Sequence, residues 1–234
     1  MNVKILHLLE GARQAKGLTV IIDVFRAFST ACYAFDSGAQ KIIPVALIDE
    51  AFRLKEQNPE YLLIGERNEI KPEGFDYGNS PSQLPSAGVK GRVIVHTTSS
   101  GTQGIAAAAG ASEIITGSFV NAGAIIKYIR SKNPDQVSLV CMGYACEYPT
   151  DEDTLCAEYI LQQLNGEASD FNKMVEIIRK GSGARFFDAA KQGWSPREDF
   201  DLCLDLNRFE FILRVEQDAS GMYLRKLEPP FNCI

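Results

Sequence analysis

A chain of 234 residues, 45% hydrophobic and 23% charged, has an ordinary globular composition and enough length for one large core or two small ones. A formal net charge of −6, a pI near 5.1 and the lack of any long Lys/Arg run argue against a nucleic-acid surface, but leave small anionic ligands open, because those need only local positive charge. Nowhere do about 18 apolar residues follow one another, as a membrane span requires, and the apolar part of Met1 to Glu10 is too short for a signal-peptide core; the expected location is the cytoplasm.

In chain order, short β-branched runs alternate with helical patterns. "LTVIIDV" (18–24) reads as a strand and "AFSTACYAFDSGA" (27–39) as a helix. "KIIPVAL" (41–47) is followed by the helical "IDEAFRLKEQ" (48–57), and "EYLLIGE" (60–66) by a long polar stretch, 65–83. "RVIVHTT" (92–98) leads into "GTQGIAAAAGA" (101–111), "EIITGSF" (113–119) into "VNAGAIIKYIRSK" (120–132), and "QVSLVCMG" (136–143) into "DEDTLCAEYILQQLNG" (151–166). Continuous apolar strands separated by helices predict an α/β fold: three layers, α/β/α, around a largely parallel, mixed sheet. After Gly166 the pattern changes to two helical segments and then to "FEFILRVEQ" and "GMYLRKLE", which predict a hairpin around Asp218 to Gly221. The expected organisation is an α/β core over 1–166 carrying the site, with 167–234 a C-terminal helical and hairpin subdomain packed on it, as a cover or a mixed edge.

In such sheets ligands bind outside the carboxyl ends of the strands, and five polar clusters fall there: Asp23, Glu66, 96–102, Gly117 with Ser118, and 141–153. Asp23 ends an apolar strand and Arg26 stands three residues on, a pairing that suits a metal ion and a phosphoryl group together; the alternative is an Asp cap paired with its own Arg. Glu66 and Arg67 repeat the pairing, with Arg67 expected to grip an anion bidentately. Asp76 and Asn79 add hard oxygen donors after two glycine turns, and Mg²⁺ prefers such oxygens. Thr97, Thr98, Ser99, Ser100 and Thr102, with Gly101 among them, put five hydroxyls at the start of an alanine-rich helix, more than an N-cap needs, so they are expected to bind an anion. Glu152 and Asp153 open another helix, where acids are stabilising with or without a ligand.

The cysteines 32, 141, 146, 156, 203 and 233 are scattered, and the spacing of four and then nine residues among Cys141, Cys146 and Cys156 matches no common zinc pattern, so all are expected to be reduced. Carboxylates beside arginines and hydroxyls suggest a phosphate-handling enzyme that needs a divalent cation. The common solutions are absent: Phe25 stands where a haloacid-dehalogenase phosphatase needs its second Asp, no Cys is followed by Arg at the Cys-x5-Arg spacing, and Arg-His-Gly, His-Glu-x-x-His and Gly-x-Ser-x-Gly are missing.

"DVFRAFSTA", "GERNEIKPEGFDYGNSPSQ", "TTSSGTQG" and "DEDTLCAEYI" occur in the order and spacing of the 2-phosphosulfolactate phosphatases, the ComB family, and the resemblance extends to "DFDLCLDLNRFEF". It implies a Mg²⁺-dependent α/β/α phosphomonoesterase that hydrolyses (2R)-2-phospho-3-sulfolactate to 3-sulfolactate and phosphate, a step of coenzyme M biosynthesis. By position it implies Asp23, Arg26, Glu66 and Arg67 as catalytic residues and Asp23, Glu66, Asp76, Glu152 and Asp153 as the metal set. Thr97 to Thr102, Asn79 and Ser80 are then substrate-binding. Two departures stand out: Ser99-Ser100-Gly101 where Thr-Asn-Gly is expected, and Ala157-Glu158 where Ala-Gly is usual. The expected partner is a small phosphorylated sulfonate or hydroxy acid, with no nucleic acid and no membrane, and a homodimer is left open. Two other readings remain: the same mechanism on another phosphorylated hydroxy acid, and a non-catalytic phosphate or sulfonate sensor, against which the acidic cluster counts because bare carboxylates repel an anion.

Overall fold

The computed structural model describes residues 1–219 and 221–231, and its elements follow the alternation read from the sequence. In chain order they are β1 (Asn2–His7), α1 (Leu8–Gln14), β2 (Gly17–Ile22), α2 (Ala27–Asp36), β3 (Lys41–Pro44), α3 (Ile48–Gln57), β4 (Leu62–Gly65), β5 (Val93–Thr97), α4 (Gly101–Ala107), β6 (Ala111–Gly117), α5 (Ala122–Lys132), β7 (Gln136–Cys141), α6 (Asp151–Asn165), α7 (Phe171–Lys180), α8 (Arg197–Cys203), β8 (Ile212–Asp218) and β9 (Gly221–Leu227). No element is read from the sequence over 1–14. There β1 adds to β7 in parallel from Asn2–Gln136 to His7–Cys141 as an edge strand, half exposed, which is why its pattern is too polar to stand out.

Among the described residues one nine-stranded sheet runs β1-β7-β2-β6-β8-β9-β3-β5-β4. The first four strands are parallel neighbours, and so are the last three. Between these two blocks lies the hairpin. β8 pairs antiparallel with β6 at Ile115–Arg214 and Thr116–Leu213, and β9 with β3 at Ile42–Leu224. The hairpin is therefore neither cover nor edge, a correction to the expectation for the C-terminal segment. Leu213 and Leu224 are buried in the same cluster as Ile21 and Ile42, so the hairpin continues the core between two parallel edges whose backbone groups would otherwise lack partners. Ser220 of its turn and Cys233 lie outside the described residues; the other five cysteines are free thiols, four of them buried.

Strand alternation sets the layers. Ile21, Val140, Ile42, Ile64 and Ile94 face one way, onto Ala12 of α1, Phe28 and Ala31 of α2 and Ile105 of α4. Val20, Ile22, Leu139 and Cys141 face the other, onto Ile125 and Ile129 of α5, Ile160 of α6 and Ile178 of α7. Ala51 of α3 covers Ile43, Leu63 and Val95. Both faces are covered, the three-layer arrangement expected. No helix among the described residues is long and apolar enough to cross a membrane.

Candidate active site

The carboxyl ends of β2, β4, β5 and β7 open into one cleft. Asp23, Phe25 and Arg26 enter it after β2. Glu66, Asn68, Glu69 and Asn79 come from the loop after β4, Ser99 and Ser100 from the turn after β5, and Gly143, Tyr144 and Ala145 from the loop after β7. Arg185 arrives from a 3-10 turn, Ser182–Phe187.

β2 and β5 belong to different parallel blocks, so their loops meet only because α4 leaves β5 and crosses to the other block. Two glycines permit the crossing. A Cβ at Gly104 would lie 2.4 Å from Met142 Sδ and 2.8 Å from Ile21 Cγ2; one at Gly101 would lie 2.9 Å from both Asp23 Oδ2 and Ala27 Cβ. Gly101, expected to bind substrate, thus supplies room for the Asp23 carboxylate.

Asp23 is buried and its Oδ1 accepts the Ala27 N–H at 3.1 Å. Burial raises its carboxyl to about 7; the Ala27 amide pulls it down, and the Glu66 and Glu152 carboxylates push it up again. Glu66 is held by three donors: Ser99 N–H to Oε1 at 2.6 Å, and Ser99 Oγ and Glu69 N–H to Oε2 at 3.0 and 2.8 Å. Arg26 lines the cleft, yet its Nη1 donates to Asp199 Oδ2 at 2.7 Å with both side chains buried, and Asp199 Oδ1 accepts Ser82 N–H at 3.0 Å. Asp199, on α8, is the buried partner that a buried guanidinium requires. It opens the segment "DFDLCLDLNRFEF", to which the family resemblance extends, but the sequence assigns it no role.

Of the residues singled out from sequence, Asp23, Arg26, Glu66, Asn79, Ser99 and Ser100 line the cleft. The others have structural engagements elsewhere. Thr98 and Thr102 bond reciprocally, Thr98 N–H to Thr102 Oγ1 at 3.0 Å and Thr102 N–H to Thr98 Oγ1 at 3.3 Å, closing the entry to α4. Thr97 Oγ1 accepts from Arg67, whose guanidinium also donates to the carbonyls of Glu66 and Ala46. Arg67, expected to grip an anion, is thus engaged by two carbonyls and one hydroxyl and is not among the residues that line the cleft. Ser80 is buried against Ser82 Oγ at 3.1 Å. Asp76 accepts Leu63 N–H at 2.7 Å and pairs with Lys55 at 3.3 Å, outside the cleft, because Phe75 beside it turns into the core. Asp153 spends both oxygens on backbone, Val24 N–H and Gly143 N–H at 2.8 Å each, and so ties the ends of β2 and β7 together. Glu152 accepts from Ser182 Oγ and anchors the turn that carries Arg185. Burial raises the carboxyls of both acids. Of the acids expected to hold a metal, Asp76 is thus turned away from the cleft, while Glu152 and Asp153 brace its walls. Ser118, expected to converge here, is buried against Ser29 Oγ at 2.7 Å.

Sequence reasoning passed over Arg185, Glu69 and Tyr144. Arg185 lies in "GSGARFF", where the glycines mark a turn within a segment read as cover. Its guanidinium sits over the rings of Phe25, Tyr144 and Phe186. Glu69, at φ +71°, reaches Ser195 Oγ at 3.1 Å.

Among the described residues no three His, Cys, Asp or Glu side chains are arranged to hold a metal ion by themselves. The donor set nevertheless suits a hard divalent cation. Such an ion uses one or two carboxylates and completes its shell with water and phosphate oxygens. Asp23 and Glu66 are the strand-end carboxylates available, and they raise each other's cost when bare.

A family model described as 2-phosphosulpholactate phosphatase matches residues 4–218 of the chain. A protein of Caldanaerobacter subterraneus subsp. tengcongensis is 34% identical over 211 residues, 84% of this chain and 87% of its own length. One from Bacillus subtilis is 30% identical over 207 residues, 87% and 89%, and one from Caldicellulosiruptor saccharolyticus is 42% identical over 146 residues, 61% and 60%. Each of the three is named "Probable 2-phosphosulfolactate phosphatase".

Proposed function

The chain belongs to the 2-phosphosulpholactate phosphatase family, and from that membership and the chemistry of the cleft we propose that it hydrolyses (2R)-2-phospho-3-sulfolactate to 3-sulfolactate and phosphate with the help of Mg²⁺. The observation that carries this reading is the pairing of a buried strand-end acid, Asp23, with Glu66 across a cleft that Arg26 and Arg185 also line. Carboxylates alone repel a phosphate ester, and arginines alone need no such acids; a cleft with both fits a cation held between protein and phosphate.

Asp23 is the foremost candidate ligand, since its carboxylate has few protein donors, and Glu66 the second. Mg²⁺ bound there would neutralise charge on the phosphoryl oxygens. Ser99 and Ser100 place hydroxyls on the same wall, and the Glu66 bonds to Ser99 fix that wall before substrate arrives. Arg26, held rigid by Asp199, offers positive charge without having to reorganise. The phosphatase belongs to a site built from four strand ends, so binding and chemistry depend on both parallel blocks.

Phosphate release from 2-phosphosulfolactate, with Mg²⁺ and after EDTA, tests the reading. Release should vanish in EDTA and return with Mg²⁺, and Asp23→Asn should lower kcat/KM by roughly a hundredfold or more while the protein still unfolds cooperatively. Undiminished release in EDTA would remove the cation from the reading, and normal turnover by Asp23→Asn would remove Asp23.

A further inference from the structure

Two guanidinium groups face the cleft, and they are not equivalent. Arg26 is committed: Nη1 bonds Asp199 Oδ2 at 2.7 Å, and Nη2 reaches the Glu69 carbonyl at 3.4 Å. Arg185 is not. Among the described residues its one hydrogen bond runs from Nη2 to the Phe25 carbonyl at 3.3 Å, and its Nε is buried without a hydrogen-bond partner. The Glu69 carboxylate stands 3.6 Å from that Nε, close enough for attraction and too far for a bond, because Glu69 Oε2 is held by Ser195 Oγ at 3.1 Å. A guanidinium carries five N–H donors, so most of this one's capacity is unspent.

Its surroundings fix its orientation. The guanidinium carbon lies 5.1 Å from the Phe186 ring centre, 5.6 Å from Phe25 and 5.9 Å from Tyr144, while the side chain is 12% exposed. Aromatic walls leave a cation poorly hydrated, and the anion that replaces lost water most easily there is itself weakly hydrated. Of the three anionic groups on a phosphosulfolactate, the sulfonate is the most weakly hydrated, and unlike the phosphoryl group it stays on the molecule.

We propose that Arg185 is the residue that binds the sulfonate of the substrate and so sets the preference of this cleft for sulfonated over plain phosphorylated hydroxy acids. The assignment rests on the phosphatase reading above and deepens it. Arg26 then serves the end of the substrate next to Asp23, and Arg185 the end that is not transferred.

The test compares 2-phosphosulfolactate with 2-phospholactate, which lacks the sulfonate, on wild type, Arg185→Gln and Arg185→Lys. Losing a charge-assisted hydrogen-bonded contact changes binding by about tenfold to a hundredfold. Arg185→Gln should therefore raise KM for 2-phosphosulfolactate by about that factor more than for 2-phospholactate, and Arg185→Lys should recover part of the difference. Because both substrates meet the same variant, a loss of folded protein cancels from the ratio. Equal losses on both substrates would overturn the assignment, placing Arg185 with the phosphoryl group, the carboxylate or the fold. Should wild type hydrolyse neither compound, the phosphatase reading fails separately, and calorimetry with 3-sulfolactate and lactate decides the point: tighter binding of 3-sulfolactate that Arg185→Gln abolishes supports the assignment, and equal binding of both by wild type, or no effect of the substitution, overturns it.

Discussion

Arg67 and His96 show how protein partners redirect residues that look functional in sequence. Arg67 follows a strand-end Glu, as Arg26 follows Asp23 at a short distance, yet its guanidinium is spent on the carbonyls of Glu66 and Ala46 and on Thr97 Oγ1. Replacing it by Lys removes a planar fork with several acceptors, so Arg67→Lys is expected to cost about 1–2 kcal/mol of stability while turnover per folded molecule stays near wild type. Denaturant unfolding alongside steady-state kinetics checks this; a collapse of kcat with unchanged stability would return Arg67 to the site. His96 is buried and its Nε2 meets Asn79 Oδ1 at 3.2 Å. Burial lowers its pKa to about 4 from an ordinary 6.5. The unfolded chain therefore takes up a proton below about pH 6.5 that the folded one refuses, so the stability associated with neutral His96 is complete above that pH and is lost as pH falls towards 4, by up to roughly 3 kcal/mol. The buried acids with raised pKa act with the opposite sign, gaining stability as pH falls. The difference between wild type and His96→Gln isolates the histidine: the variant should lose less stability on acidification, and parallel curves would show that His96 is not the source.

At the level of elements, α4 decides whether a site exists. Its alanine-rich sequence is legible as a helix, but the block of the sheet on which it lies is not, because that depends on the approach allowed at Gly101 and Gly104. Gly104→Ala would press a methyl against Met142 Sδ and Ile21 Cγ2, and overpacking of this kind typically costs about 1–3 kcal/mol. Since Ser99 and Ser100 stand in the turn that leads into α4 and line the cleft with Asp23, the same substitution is expected to lower activity more than stability alone predicts. Thermal unfolding and activity measured on the same preparation check both, and a variant equal to wild type in each would mean that the helix has slack against β2. The loop over 65–83 is the second such element. From the sequence it is expected to be ordered, with an order that depends on Mg²⁺ and an anion more than on local propensity; the structure pins it by a bridge between Ile64 and Tyr77, by buried Phe75, and by Gly78 N–H on Gln83 Oε1 at 3.1 Å.

The whole molecule depends on its last hairpin. The two parallel blocks do not touch along the sheet; β8 and β9 join them through two register pairs on one side and one on the other, and Leu213 and Leu224 carry the core across the gap. A chain ending at Asn207 is therefore expected to lose cooperative unfolding and not only some stability, because each block would keep an open parallel edge and the cleft would lack a fixed distance between Asp23 and Glu66. Near-UV circular dichroism and calorimetry distinguish the cases: a sharp transition in the shortened chain would mean that the blocks close on each other without the hairpin. Contacts so distant in sequence also place this fold among those in which long loops must close before the core forms.

Local pattern is enough to determine the α/β class, the order of strands and helices from β2 onwards, and the strand-end positions of Asp23, Glu66 and Ser99, because hydrophobic period and turn chemistry are properties of neighbouring residues. It also carries the family, since the motifs are contiguous. The partners of those residues are a different matter. Whether an acid faces a cleft, as Asp23 does, or clamps two backbone amides, as Asp153 does, depends on which strand ends meet: Asp153 holds Gly143 ten positions away and Val24 129 positions away. Arg67 and Arg185 change places for the same reason: two carbonyls and a hydroxyl engage the first, and aromatic rings hold the second open. Only the tertiary structure decides this, because the desolvation and pairing that set a side chain's chemistry arise when distant segments meet.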